Sequence, residues 1–559
     1  MRTQRLRRRA QKGLGGLTAA AFGVLYFLLR TDVRILDPRR VDLVDTGDFA
    51  YHVVARNFAQ WDAWHWPLTR IANYQWPVGT SSVYTDSNPW ITLVAKLLLP
   101  ADARPLQFVG LWLALCFGLQ GYVGAKLCSL VTRDRLSSAL GGCLFVLAPI
   151  LLARLGHDTL CAHWILLYAM TAALSERCGK RESTRTMAVL AALLMFAAGL
   201  HPTLFAMTIP FVLIALIRQR PTSWGELVGV AACVGGPVLV LVAFGTLRGS
   251  TQSEVPGFGA YSANLLALVD PQLPVRSAFL PVLPHEAMQY EGFGYLGFGA
   301  LLALLIAIGL TCFERRFRLP RAFLGLAIGA AACAAYAASS RIFSGHRLVA
   351  DISFLYAPFH SVTNAFRSSG RFIWPLTYAL TLVAVAALAS LGAPWNRIAL
   401  VVICALQIVD SKQVVDVPKL LRVDGSLVSD SSKWALASSD YRQLILDPPD
   451  IESNGFKCPE ARYVDRYFLP LAEIATRHHL SFNSGQAARL NEASLRAYCS
   501  RVVAIRLVGQ FDPLAIYVPS AESLGAYRRN KTMICGVIDG YPVCVRKDRP
   551  TPLSTALSP

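Results

Sequence analysis

Long apolar runs broken by short polar stretches fill the first three quarters of the chain. Runs of this length with so few charges predict membrane helices. The first covers about Gly13 to Leu29 and follows a start rich in arginine and lysine. No small-residue cleavage site comes after it, only Arg30-Thr-Asp-Val-Arg34, so it reads as a membrane helix and not as a removed signal. Further runs at roughly 106–131, 136–156, 159–175, 186–200, 203–217, 226–247, 294–312, 320–338, 372–392 and 396–409 bring the expected count to about eleven. From about residue 425 polarity is mixed, and residues 425–559 predict a small soluble α/β domain. The expected fold is thus an α-helical membrane domain over 1–410 with an appended C-terminal domain.

Composition agrees. The 559 residues are 54% hydrophobic and 16% charged. A soluble domain carries nearer a quarter charged residues, and a disordered chain has far less apolar surface. The 54 lysines and arginines against 35 acids give +19. In a soluble protein that excess points to nucleic acid, but no motif for binding it is present. Much of it sits in short loops between the runs. With the N-terminus inside, Arg133 and Arg135, Arg177 to Arg185, Arg218 and Arg220, Arg315 to Arg321, and Arg397 all fall on the cytoplasmic side. That satisfies the positive-inside rule and predicts a multi-pass membrane protein with a cytoplasmic N-terminus. The outer, periplasmic side then receives the segments 31–105, 248–293 and 339–371 and the tail.

Nine of the 13 cysteines lie in or beside apolar runs, where Cys is ordinary packing. The other four, Cys458, Cys499, Cys535 and Cys544, are in the tail, an even number that fits an oxidising compartment. The turn signal Asp539-Gly540 predicts a hairpin. Counting outward from it pairs Val537 with Pro542 and Cys535 with Cys544, which puts the two cysteines within disulfide reach. Cys458–Cys499 follows by elimination.

Candidate chemistry gathers on the outer segments. The first holds Asp45-Thr-Gly-Asp48-Phe-Ala-Tyr-His52, several tryptophans, and Tyr84-Thr-Asp86-Ser-Asn-Pro89. Tryptophans at a bilayer boundary are ordinary anchors. Carboxylates beside them are site candidates, although Asp48 could be a helix-start acid and Asp86 an Asx-turn residue. The short apolar piece Trp90 to Leu99 predicts an interfacial helix. A second cluster, Arg154-Leu-Gly-His157-Asp158-Thr-Leu-Cys-Ala-His163-Trp164, sits at an outer turn, with His163 expected one and a half turns into the next helix. Polar groups at that depth are costly and tend to be functional. A third outer turn carries His201-Pro-Thr203, and Glu291 opens Glu291-Gly-Phe-Gly-Tyr295. Arg367 and Arg371, four apart, predict one cationic helix face for an anionic ligand such as a phosphate. No pair has a structural zinc spacing, but carboxylates could hold a divalent ion.

Gly47-Asp48-Phe, Tyr84-Thr-Asp86-Ser-Asn-Pro, Gly156-His157-Asp158, Glu291-Gly-Phe-Gly-Tyr-Leu-Gly and Phe366-Arg-x-Ser-Gly-Arg371-Phe look like an uncharacterised bacterial family placed near the GT-C class of membrane glycosyltransferases. The resemblance covers about 40–410. It implies transfer of a sugar from a polyprenyl-phosphate-linked donor to a cell-envelope acceptor, with inversion. Asp48 matches the first-loop acid that deprotonates the acceptor, and Asp86 would support it. His157, His163, His201, Glu291, Arg367 and Arg371 would bind substrate. Asp158 matches in position a second-loop acid that holds Mg or Mn in some members, yet His157-Asp158 replaces the usual Asp-x-Glu. A glycolipid flippase or transporter, or a surface-polysaccharide ligase or polymerase, would use similar residues.

Overall fold

The computed structural model describes the chain except residues 1, 45–46, 177–178, 250–256, 315–316, 412–431, 438–439, 454–455, 460–464, 490 and 558–559. It divides into two compact units. The first comprises residues 1–36, 109–240 and 255–420, and the second residues 37–108, 241–254 and 421–559.

The first unit is helical. Among the described residues, five helices are long and apolar enough to cross a membrane: Val109–Cys128, Lys180–Leu200, Pro202–Gln219, Trp224–Ala243 and the segment Ser369–Ala389. The expectation of about eleven spans is therefore not supported. The other apolar runs form helices of 10–17 residues, such as Arg135–Val146 and Phe298–Cys312. A bilayer core of about 30 Å needs about 20 helical residues. Trp395–Asp410, expected as a last span, is 16 residues long and carries Asn396, Arg397, Gln407 and Asp410.

Small residues let these helices approach closely, as in membrane bundles generally. A side chain at Gly121 would run into the backbone of Ala19, and one at Gly23 into that of Phe117. Buried polar groups are paired across helices. The Asp410 carboxylate accepts from the Tyr295 hydroxyl and the Phe298 amide, both at 2.9 Å. The Gln407 side chain accepts from the Ala300 amide at 3.1 Å.

The second unit is α/β. Five strands form its main sheet: β1 (Gln443–Asp447), β2 (Ser481–Phe482), β3 (Ala515–Pro519), β4 (Met533–Ile538) and β5 (Tyr541–Arg546). Their order is β4-β5-β3-β1-β2. β1 runs parallel to β2 and β3, while β5 is antiparallel to β3 and β4. Helices Asp465–Arg477 and Glu492–Val508 make the crossovers that parallel strands require.

Residues 37–108 belong to this unit rather than forming a loop of the helical one. Helix Gly47–Trp61 buries Val54, Ala55, Phe58 and Ala59, one face at helical spacing. That face shares a core with Trp434, Leu444, Phe468, Leu471, Phe482 and Ile516. The Phe58 ring lies 5.1 Å from Tyr74 and 6.3 Å from Phe482, centroid to centroid.

Both tail disulfides are present, Cys458–Cys499 and Cys535–Cys544. The β4–β5 register opposes Ile538 to Tyr541, Val537 to Pro542 and Cys535 to Cys544, the pairing counted from the turn.

Candidate functional site

In the helical unit the candidate chemistry converges on Glu291. This residue sits in a 3-10 turn, Ala287–Gly292, and is 5% exposed. Arg371 meets it with two parallel bonds, Nε to Oε2 at 2.8 Å and Nη2 to Oε1 at 2.6 Å. Arg154 approaches from the other side, Nη1 to Oε2 at 3.0 Å, and its Nη2 donates to the Glu291 carbonyl at 3.3 Å. Burial pushes the carboxyl pKa up, but the cations of Arg371 and Arg154 outweigh it and hold the group far below the usual range. Glu291 is thus a carboxylate flanked by two guanidiniums, and the trio keeps one excess positive charge.

An aromatic and histidine wall stands behind the trio. The Arg154 guanidinium lies 5.2 Å from the centre of the Trp374 ring, a cation–π contact. The Trp374 ring lies 4.4 Å from that of His163, tilted by 36°, and the His163 Nδ1 is 2.7 Å from the Tyr378 hydroxyl. Gln120 donates to the same hydroxyl at 2.9 Å. His201 precedes helix Pro202–Gln219, and its Nδ1 accepts from the Thr203 amide at 3.1 Å. Burial, then the charges of Arg371 and His157, push its imidazole well below the ordinary value, so it is neutral at physiological pH.

Several expectations need correction. Arg367 and Arg371 share no helix face. Helix His360–Ala365 ends before Arg367, and Arg371 lies in the 3-10 segment Ser369–Ile373. Arg367 instead covers the Tyr261 ring at 5.3 Å, and Arg371 is committed to Glu291. His163 stands at the start of helix Trp164–Leu174, because a 3-10 turn over Asp158–Cys161 uses up the residues expected to be helical. His157 precedes that turn and is half-buried. Asp158 is buried, and its carbonyl accepts from the Trp112 indole at 2.8 Å. Among the described residues no group of three or more His, Cys, Asp or Glu donors gathers about Asp158.

In the second unit Asp48 lies in the first turn of helix Gly47–Trp61. Its side chain is exposed to water. Asp45 lies outside the described residues. Asp48 and His52 are four apart, hence on one face. His52 is buried, and its Nε2 is 3.9 Å from Oδ2 of the half-buried Asp86. Asp86 has φ +52°, a left-handed conformation that Asp tolerates. Asn88, two residues on, caps helix Pro89–Leu98 by accepting from the Ile91 amide at 3.3 Å. His52 and Asp86 offer an imidazole and a carboxylate.

Sequence reasoning placed Arg154 in a cluster without giving it a role, and missed Trp374 and Tyr378. A guanidinium at an outer turn, against the positive-inside trend, was the available signal for Arg154.

No curated protein matches the chain. A family model described as a domain of unknown function, DUF6311, matches residues 20–412, and that of the DUF6311 C-terminal domain matches residues 433–546, so the chain belongs to the DUF6311 family.

Proposed function

We propose that the protein is a membrane glycosyltransferase that moves a sugar from a polyprenyl-phosphate-linked donor to a cell-envelope acceptor. The leaving group of such a donor is a lipid phosphate, which needs cations as its charge develops. The acceptor hydroxyl needs a base within reach. The helical unit holds buried guanidiniums of the kind the phosphate needs. The observation that carries the reading is the Arg154–Glu291–Arg371 trio. A carboxylate held between two guanidiniums fixes both in place and leaves positive charge over, with Arg367 close in sequence. Arg371 acts there as part of a rigid cationic frame and not as a mobile phosphate clamp.

Asp48 is the base in this reading. Its exposure lets an acceptor hydroxyl approach, while His52, held beside Asp86, stands one turn further on. Attack by the acceptor oxygen forms the new glycosidic bond as the bond from the anomeric carbon to the phosphate oxygen breaks. The hydroxyl proton passes to Asp48, and the anomeric centre inverts. A divalent ion at His52 and Asp86 would stabilise nearby negative charge. The positive-inside bias of the loops supports a cytoplasmic N-terminus, and the disulfide-bearing tail fits the oxidising periplasm.

The test is reconstitution into liposomes with a panel of polyprenyl-phosphate sugars. Donor-dependent glycosylation of envelope glycans, lost on Arg371→Ala, supports the reading. Movement of donor between leaflets without transfer would make the protein a flippase instead.

A further inference from the structure

We propose that the second unit carries a binding cavity for an anionic saccharide. Three parts far apart in sequence build it: residues between Pro67 and Tyr84, Phe244 with Gly245, and Arg489, Asn491 and Leu495. Its volume is about 250 Å³, the liquid volume of about eight waters at roughly 30 Å³ each. That is the size of a sugar unit with its hydroxyls, and smaller than most drug-sized sites.

The lining is the reason for the assignment. Arg70 and Arg489 both face it, and no Asp or Glu is among its described lining residues. The neighbouring acid Glu492 is paired with Arg496 at 3.3 Å. Two guanidiniums in the lining favour an anion, and their planar forks suit a carboxylate or phosphate. The half-buried Tyr84 adds aromatic surface for the apolar face of a pyranose. Thr80 and Ser81 also line the cavity.

The walls are held in place. The Tyr84 hydroxyl donates to the carbonyls of Thr246 at 2.7 Å and Gly245 at 3.3 Å. The Thr69 hydroxyl donates to the Phe244 carbonyl at 2.5 Å. The Phe244 ring is backed by Trp90 at 4.8 Å. The Gln75 side chain donates to the Gly485 carbonyl at 3.0 Å, and the Ala488 amide to the Tyr84 carbonyl at 2.6 Å. Arg70 Nη2 lies 3.5 Å from the Val78 carbonyl, at the limit of a hydrogen bond. Binding here is independent of the transfer chemistry, since none of these residues is assigned to it.

Calorimetry on the full-length protein in detergent tests the site with an oligouronate, a neutral oligohexose of the same length and inorganic phosphate. The oligouronate should bind at least about tenfold more tightly than either of the others, because only it meets both the cations and the ring surface. Arg489→Gln and Arg70→Gln should each weaken it about tenfold, and Arg489→Lys less. Arg70 is exposed, so Arg70→Gln keeps the fold and carries the test if Arg489→Gln does not fold. Equal binding of the neutral glycan, or unchanged binding in Arg70→Gln, overturns the proposal. Phosphate binding as tight as the oligouronate leaves an anion site without sugar recognition and overturns it too.

Discussion

Arg371 and Glu291 are joined by two parallel hydrogen bonds, Nε–Oε2 and Nη2–Oε1, with Arg154 completing the trio. Removing one member of a buried ion pair leaves its partner charged and unpaired, which costs about 3–5 kcal/mol. Glu291→Gln strands two guanidiniums at once. Its loss of stability in detergent should therefore fall at the upper end of that range. Arg371→Lys keeps the charge but loses the fork, and should cost less. Thermal unfolding of both variants checks the order.

His201 predicts an acid sensitivity. Its pKa is lower in the fold than in the unfolded chain, so below the unfolded value of about 6.5 the unfolded state binds the extra proton. Stability from this group is complete above about pH 6.5 and falls as pH drops, by up to about 1.4 kcal/mol per pH unit. Glu291 is also depressed, but its window opens only below about pH 4.3. Between those values His201→Gln should show a flatter melting-temperature profile than the wild type. Parallel profiles for the two proteins would remove His201 as the cause.

Phe58 is fully buried in a core it shares with the tail. Phe58→Ala should cost about 3–5 kcal/mol, and limited proteolysis should then cut the tail first. A fragment of residues 433–546 expressed alone would expose Phe468, Leu471 and Phe482, and should bind ANS without a cooperative melt. This union was not legible in the sequence. The spacing of Val54, Ala55 and Phe58 announces a buried face, but periodicity cannot say what covers it, and Phe482 lies more than four hundred residues away.

The Cys535–Cys544 pair was legible because a two-residue turn sets register over the few residues on each side. Glu291, Arg371 and His201 were recognisable as polar groups among apolar runs. Their mutual contacts depend on helix packing and were not. His163 was misplaced by several residues because a 3-10 turn has no distinct apolar period. The count of about eleven spans lacks support for a related reason. Hydropathy finds apolar runs, but it does not set helix length, and runs such as Arg135–Val146 form helices shorter than the roughly 20 residues a straight span needs.

Asp48 carries the final prediction. It is exposed at the head of helix Gly47–Trp61, and His52 on the same face is 3.9 Å from Asp86. A base must reach the acceptor hydroxyl, and of the two acids Asp48 is the more accessible. Loss of a general base costs about 10²–10⁴ in rate, so Asp48→Asn should lower transfer at least about a hundredfold while fold and donor binding persist. Asp86 acts on His52, so Asp86→Asn should have a smaller effect on rate. If a divalent ion sits there, the variant should also need more Mg or Mn for half-maximal activity. A reconstituted assay over a metal titration separates the two. Near-normal transfer by Asp48→Asn, with a collapse in Asp86→Asn, would move the base to Asp86 and leave Asp48 as a helix-start acid stabilising the N-terminal turn by about 0.3–1 kcal/mol.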